Sequence, residues 1–176
     1  MTDARITHEI DANPVAAELT RDGDHWILTM RRRLRHSPER VWPMLTDPEQ
    51  LARWSPYVPD RVLDAAGPVT ARENPGDPPR DGEVLRFDPP RELVHRYGDD
   101  VLRWTLLPDG DGSLLTLQHT LDGSQPPSYI ASGWHICFGT LAAIEVDDGV
   151  GRVVGADAMG YGWEKLRDAY DELWGR

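Results

Sequence analysis

Residues 126–149 read PPSYIASGWHICFGTLAAIEVDDG, and this stretch decides the fold. Two prolines open it and the sequence Asp-Asp-Gly closes it, a pattern typical of the start and the end of a helix. At about 100° per residue, one face of the predicted helix is apolar and aromatic. That face carries Ile130, Trp134, Cys137, Phe138, Leu141 and Ile144. An apolar face of this width has to be buried, so the rest of the chain must cover it.

Strand patterns fill most of the chain before this helix. The predicted strands cover residues 15–20, 25–34, 69–73, 83–87, 92–97, 101–107 and 114–120. Two short helices, which begin at Ser37 and Asp47, lie between the second and third strands. In the last two strands, alternating apolar residues share one face, and we expect that face to point at the long helix. A final amphipathic helix is predicted over residues 163–174.

This order of elements predicts an α+β fold in which a curved antiparallel sheet wraps around a long C-terminal helix. A chain of 176 residues fits one domain, and we assign residues 14–176 to it. Residues 1–13 are polar and lack a clear period, so we predict a flexible N-terminal arm.

Composition excludes several classes of partner. The formal net charge of −11 disfavours binding to nucleic acid or to an anionic membrane surface. Four arginines at 31, 32, 33 and 35 lie in a strand-like run, and we interpret them as a solvated strand face. The single cysteine excludes an internal disulfide and gives no zinc-binding spacing. No segment is apolar enough to span a membrane or to form a signal-peptide core, so we expect a cytoplasmic protein. The sequence has no convincing dinucleotide, Walker or metal-binding pattern, so we expect no cofactor. The oligomeric state is left open.

Seven short motifs together carry a resemblance to a known family. They are Arg40-Val41-Trp42, Leu45-Thr46-Asp47-Pro48, Leu51-Ala52-Arg53-Trp54, Gly82-Glu83-Val84-Leu85, Leu102-Arg103-Trp104, Leu115-Thr116-Leu117 and Ser132-Gly133-Trp134-His135. In these motifs the chain resembles the START-like (SRPBCC) superfamily, and within it the branch named after the activator of a heat-shock chaperone ATPase. The resemblance covers residues from about 25 to the C-terminus. It implies a helix-grip fold with a deep apolar cavity between sheet and helix. Relatives include lipid carriers, polyketide cyclases, aromatases and co-chaperones.

Aromatic residues and two histidines are the candidates for the cavity wall. Seven tryptophans are many for this length, and aromatic walls with few polar groups suit a flat or lipid-like ligand. His119 and His135 would orient a carbonyl or move a proton if they reach the cavity. The alternative is that neighbouring groups satisfy both histidines and that the tryptophans fill the space. The predicted ligand-binding residues are Trp42, Trp54, Tyr97, Trp104, Leu117, His119, Trp134, His135, Phe138 and Leu141.

Three functions follow from these observations and the resemblance. The first is the binding or carrying of a hydrophobic small molecule, a lipid or a polyketide-like compound, without catalysis. The second is a cyclase or aromatase that uses His119 or His135 as a general acid or base. The third is a co-chaperone of a heat-shock ATPase in the stress response. We rank it last because this chain lacks the additional chaperone-binding domain of the eukaryotic activators.

Overall fold

The structure, a computed structural model, describes residues 1–176. Its helices are α1 (Ala4–Ala12), α2 (Pro38–Thr46), α3 (Pro48–Leu51), α4 (Pro127–Ile144) and α5 (Trp163–Leu173), with a short 3-10 helix at Gly155–Tyr161. Its strands are β1 (Glu18–Asp22), β2 (His25–Leu34), β3 (Val58–Pro59), β4 (Thr70–Arg72), β5 (Arg80–Asp81), β6 (Val84–Asp88), β7 (Glu92–Tyr97), β8 (Asp100–Asp109) and β9 (Gly112–Leu121).

Six strands form one antiparallel sheet in the order β1-β2-β9-β8-β7-β6, and β3, β4 and β5 form a small second sheet. The large sheet is curved and holds α4 against its inner face, which confirms the predicted α+β helix-grip fold. The register of the central strands places Leu102 opposite His119 and Trp104 opposite Leu117. These inward-facing side chains form the floor on which α4 packs.

Helix α4 is buried on more sides than its apolar pattern predicts. Fifteen of its eighteen residues are buried, including the small and polar ones on the face turned away from the sheet. Helices α1 and α5 pack on that second face. The long helix is therefore the centre of a three-layer arrangement, with the sheet on one side and two helices on the other.

The prediction of a flexible arm is wrong for residues 4–12, which form α1. The side chain of Asp3 caps this helix by accepting a hydrogen bond from the backbone N–H of Arg5 at 2.9 Å. Ile6 and Ile10 are buried against α4. The approach is so close that a Cβ on Gly139 would lie 2.6 Å from Cγ1 of Ile10. Docking on α4 orders this segment, and the two isoleucines alone give too weak a pattern to predict that order.

The interpretation of the arginine run as a solvated face is wrong for Arg32. Arg32 lies on the inward-facing side of β2, and its side chain is 7% exposed. Its guanidinium group forms an ion pair with the carboxylate of Glu9 on α1, and it also donates to the Glu9 carbonyl oxygen at 2.9 Å. Arg35 binds the second carboxylate oxygen of Glu9 at 2.6 Å. A buried carboxylate therefore neutralises the inward arginine and attaches α1 to the sheet.

Candidate functional site

Side chains fill the central space between sheet and helix, where the resemblance implies a deep cavity. Trp54 and Trp104 are almost fully buried, and their rings meet edge to face with centroids 6.0 Å apart. The ring centroids of Phe138 and Trp104 are 6.2 Å apart. Leu117 and Leu141 are completely buried in the same core. None of these five predicted ligand-binding residues lines the open pocket described below.

Trp42 also lies outside the open pocket. Its side chain is partly exposed on α2 and packs against Phe87 of β6 with ring centroids 5.8 Å apart. Its contacts therefore join α2 to the sheet.

The open pocket lies beside α4 and has a volume of about 620 Å³. Helix α4 contributes one wall, while the turn between β7 and β8, the end of β9 and the loop that leads into the 3-10 helix contribute the others. Tyr97, His119 and Trp134 are the predicted site residues that the structure brings together there. Tyr129 and Trp163 also line the pocket, with their rings edge to face at 4.9 Å.

His119 is held at the pocket wall by two hydrogen bonds. Its Nε2 lies 2.6 Å from Oδ2 of Asp100, and the indole Nε1–H of Trp134 donates to its Nδ1 at 3.0 Å. Because Nδ1 accepts, the proton of the neutral ring is on Nε2 and is donated to the carboxylate. Asp100 is fixed in turn, since its Oδ1 accepts from the backbone N–H of Asp122 at 2.7 Å. The ring of His119 thus has no free lone pair with which to take a proton from a ligand.

His135 is on the opposite side of α4, so it does not share the site with His119. Its Nε2 lies 3.1 Å from the carbonyl oxygen of Ile10, and its Nδ1 lies 2.9 Å from the hydroxyl of Tyr170. The carbonyl can only accept, so Nε2–H donates to it and Nδ1 accepts from the tyrosine. Burial lowers the pKa of His135, which keeps the ring neutral. This histidine joins α1, α4 and α5 and makes no contact with the pocket.

A third buried histidine, His95 on β7, was missed by the sequence reasoning. Its Nδ1 lies 2.9 Å from the Arg96 carbonyl oxygen, and its Nε2 accepts from the indole of Trp104 at 3.0 Å. The hydroxyl of Tyr57 approaches the same Nε2 at 3.1 Å. Burial lowers the pKa of His95 to about 4. The alternation of β7 indicates its inward direction, but no local pattern shows that its partners are Tyr57 and Trp104.

A match to a family model now adds to this geometry. The model described as "Polyketide cyclase / dehydrase and lipid transport" matches residues 25–169, which is most of the chain. The chain belongs to this family. The match confirms the START-like resemblance at the level of the superfamily.

Solved structures share the fold of this polyketide cyclase/dehydrase and lipid transport family member. EF2215 from Enterococcus faecalis is 14% identical, with a TM-score of 0.75 over 96% of this chain and 95% of its own. CalU16 from Micromonospora echinospora is 22% identical, with a TM-score of 0.65 over 90% of this chain and 98% of its own. DynU16, a protein in the dynemicin biosynthetic locus, is 20% identical, with a TM-score of 0.60 over 69% of this chain and 48% of its own. At these identities the likeness concerns the fold alone. A comparison with curated proteins finds no match.

The remaining reactive groups of this family member do not form a recognisable catalytic set. Cys137 lines the pocket, but burial raises the pKa of its thiol to about 12, so the reactive thiolate does not form near neutrality. The hydroxyl of Tyr97 makes one long hydrogen bond, 3.4 Å, to the carbonyl oxygen of Pro56, and burial raises its pKa. No group of three His, Cys, Asp or Glu side chains is arranged to hold a metal ion. None of the helices is both long and apolar enough to span a membrane.

Proposed function

We propose that this protein binds and carries a hydrophobic small molecule, a lipid or a polyketide-like compound, in the pocket beside α4. The observation that carries the proposal is the pocket itself, whose volume of about 620 Å³ falls in the range of small-molecule sites. Tyr97, Tyr129, Trp134 and Trp163 supply aromatic surface to its wall. Flat apolar rings or acyl chains gain most from such a surface, because aromatic contacts combine apolar burial with stacking.

The hydrogen bonds of His119 favour binding over catalysis. Before Nδ1 can take a proton, it has to lose its bond from the indole of Trp134, which would leave a buried donor unpaired. The pair of Asp100 and His119 is nevertheless the observation that keeps a cyclase-type reaction as the second candidate, since a carboxylate beside an imidazole is a common acid–base arrangement. We assign His135 no part in either function, because its hydrogen bonds lie on the far side of α4.

The type of ligand has support from the family description, which names polyketide cyclases and lipid transport. DynU16, which shares the fold, comes from a biosynthetic locus. The family description therefore supports a ligand from lipid or polyketide chemistry. The narrower assignment to chaperone ATPase activators, with a role in the stress response, stays a prediction that no contact in the structure favours.

Native mass spectrometry of the freshly purified protein tests the proposal. The wild type should retain an additional small-molecule mass that organic solvent removes. Gly133→Phe is the blocking variant, because Gly133 lines the pocket and a Cβ there meets no atom within 4 Å. Gly133→Ala is the matched control, since it adds one methyl group at the same position. A wild type that carries no ligand, and whose melting temperature is unchanged by a broad panel of apolar compounds, would contradict the proposal.

A further inference from the structure

Arg152 is a partly buried cation with one nitrogen that no protein group uses. Its Nε donates to the carbonyl oxygen of Ser55 at 2.8 Å, and its Nη1 donates to the carbonyl oxygen of Glu73 at 2.7 Å. Its Nη2 is buried and has no hydrogen-bond partner. No carboxylate lies within ion-pair distance of the guanidinium group, although most arginines of this chain have such a partner. The two carbonyl groups therefore fix the side chain and leave its third nitrogen unpaired.

Arg152 is not itself part of the pocket lining, but its neighbours in sequence and in hydrogen bonding are. Arg152 directly precedes Val153, and its acceptor residue Glu73 is, like Val153, part of the pocket lining. Glu73, Cys137 and Tyr97, which all line the pocket, interact electrostatically with the guanidinium group. A buried donor without a partner is costly, and such groups in native proteins usually have a water, ion or ligand as their partner.

We propose that Nη2 of Arg152 binds an anionic oxygen of the ligand, a carboxylate or an enolate, at the Cys137 end of the pocket. This inference rests on the proposed function and narrows the ligand to an apolar molecule with an acidic oxygen. Nε and Nη1 already serve the two main-chain carbonyl groups, so the contact is made by Nη2 alone. Tyr97 is the neighbouring side chain that can move to admit the ligand, because its hydroxyl makes only one long hydrogen bond, of 3.4 Å.

The charged residues of the pocket lining do not by themselves favour an anionic ligand. The lining contains Glu73, Asp99, Asp100 and Asp122 but, apart from His119, only one basic residue, Arg80. A pocket with this lining repels anions unless a cation behind the wall compensates the ligand charge. Preference for an acid over its neutral ester is therefore expected from Arg152 and not from the lining as a whole.

The test compares 3-hydroxy-2-naphthoate with its methyl ester by isothermal titration calorimetry at neutral pH. The wild type should bind the carboxylate at least tenfold more tightly, the low end expected for a hydrogen bond to a charged group, which is roughly ten- to hundredfold. Arg152→Met should remove this preference while it keeps the affinity for the ester. Arg80→Met serves as the comparison, because Arg80 is the other cation of the site and lies over the ring of Tyr97.

Each outcome decides between the alternatives. If the wild type binds the acid and the ester equally, the inference about Arg152 is overturned and the proposed binding function survives. The same holds if Arg80→Met removes the preference and Arg152→Met does not. If the wild type binds neither probe, the inference about Arg152 is overturned, whereas the proposed function is decided by native mass spectrometry and the broad ligand panel. Should Arg152→Met not fold, Arg152→Lys keeps the charge, and the preference of the wild type is itself a readout that needs no variant.

Discussion

The indole Nε1–H of Trp134 donates to Nδ1 of His119 at 3.0 Å, and this contact joins α4 to the end of β9 at the pocket wall. Since the other nitrogen of His119 binds Asp100, the ring is fully engaged. The histidine therefore sets the orientation of Trp134, whose ring is part of the surface offered to a ligand. The polar residue His119 therefore positions the aromatic residue Trp134 in the pocket wall.

The bond between these two residues should be visible as an energetic coupling. His119→Leu leaves the indole without an acceptor, and Trp134→Phe leaves Nδ1 without a donor. Each change should lower the free energy of unfolding by about 1–3 kcal/mol through the unpaired group alone. The double variant should lose less than the sum, with a coupling of about 1 kcal/mol in urea unfolding. Losses that add fully would show that the contact contributes nothing to stability.

Ligand binding should change the emission of the tryptophans that line the pocket. Trp134 and Trp163 line the pocket, whereas Trp54 and Trp104 lie in the filled core. We expect Trp163→Phe to remove part of the emission change caused by an apolar ligand, and Trp54→Phe to leave that change intact. The measurement is a fluorescence titration of each variant with the ligand, and only variants with the same melting temperature are compared. A signal that disappears with Trp54 would place the ligand inside the sheet–helix core.

Two glycines of α4 should respond to alanine in opposite directions. A Cβ on Gly133 meets no atom within 4 Å, so Gly133→Ala should stabilise the protein by up to ~1 kcal/mol through helix propensity. A Cβ on Gly139 would lie 2.6 Å from Cγ1 and 3.3 Å from the backbone nitrogen of Ile10. Gly139→Ala should therefore destabilise by about 1–3 kcal/mol, the usual cost of overpacking. Urea unfolding of both variants gives the comparison, and changes of the same sign would contradict the docking of α1.

The ion pair between Glu9 and Arg32 gives a second test of α1. Both side chains are 7% exposed, so removal of either partner leaves a buried charge. Glu9→Leu should cost about 3–5 kcal/mol in the free energy of unfolding. The double variant Glu9→Leu, Arg32→Met should recover much of this loss, because it removes both charges and keeps the volume apolar. A small effect of Glu9→Leu alone would mean that α1 is detached in solution.

Local patterns were sufficient for the long elements of this fold. The strands at His25–Leu34 and Glu92–Tyr97 are those that the alternation predicts, and Pro38 opens α2 after the predicted cap position. The alternation of apolar and polar residues did not predict the shortest strands, because β3 and β5 have two residues each and two residues show no period. Local patterns also failed for α1, whose order comes from contacts more than a hundred residues away.

The site was less predictable because it depends on partners that are distant in sequence. Asp100 and Trp134 fix His119, and neither partner shows this role in its own neighbourhood. The direction of His135 could have been read from the sequence, since a step of one residue rotates the direction of a helical side chain by about 100° and so separates it from Trp134. Arg152 carried no sequence signal, since its role follows only from the carbonyl groups that surround it.

The pH dependence of stability should report the buried His95. Its pKa is about 4 in the folded protein, against 6.5 for an ordinary histidine, and burial is the main cause. As the pH falls from about 6.5 to about 4, the unfolded chain takes up a proton that the folded protein does not, so stability decreases with falling pH. At the acid end of this window the free energy of unfolding is lower than at neutral pH by roughly 3 kcal/mol. The lowered pKa of His135 acts in the same direction.

The matched variants are His95→Gln and His135→Gln, which keep a polar group and remove the titration. We expect urea unfolding of the wild type to show a steep loss of stability between pH 6.5 and pH 4. In His95→Gln the slope should fall by about one proton, because the glutamine amide does not titrate and its oxygen can still accept from the indole of Trp104. An unchanged slope in both variants would mean that His95 is already charged in the folded protein. That result is incompatible with an Nε2 that accepts from Trp104.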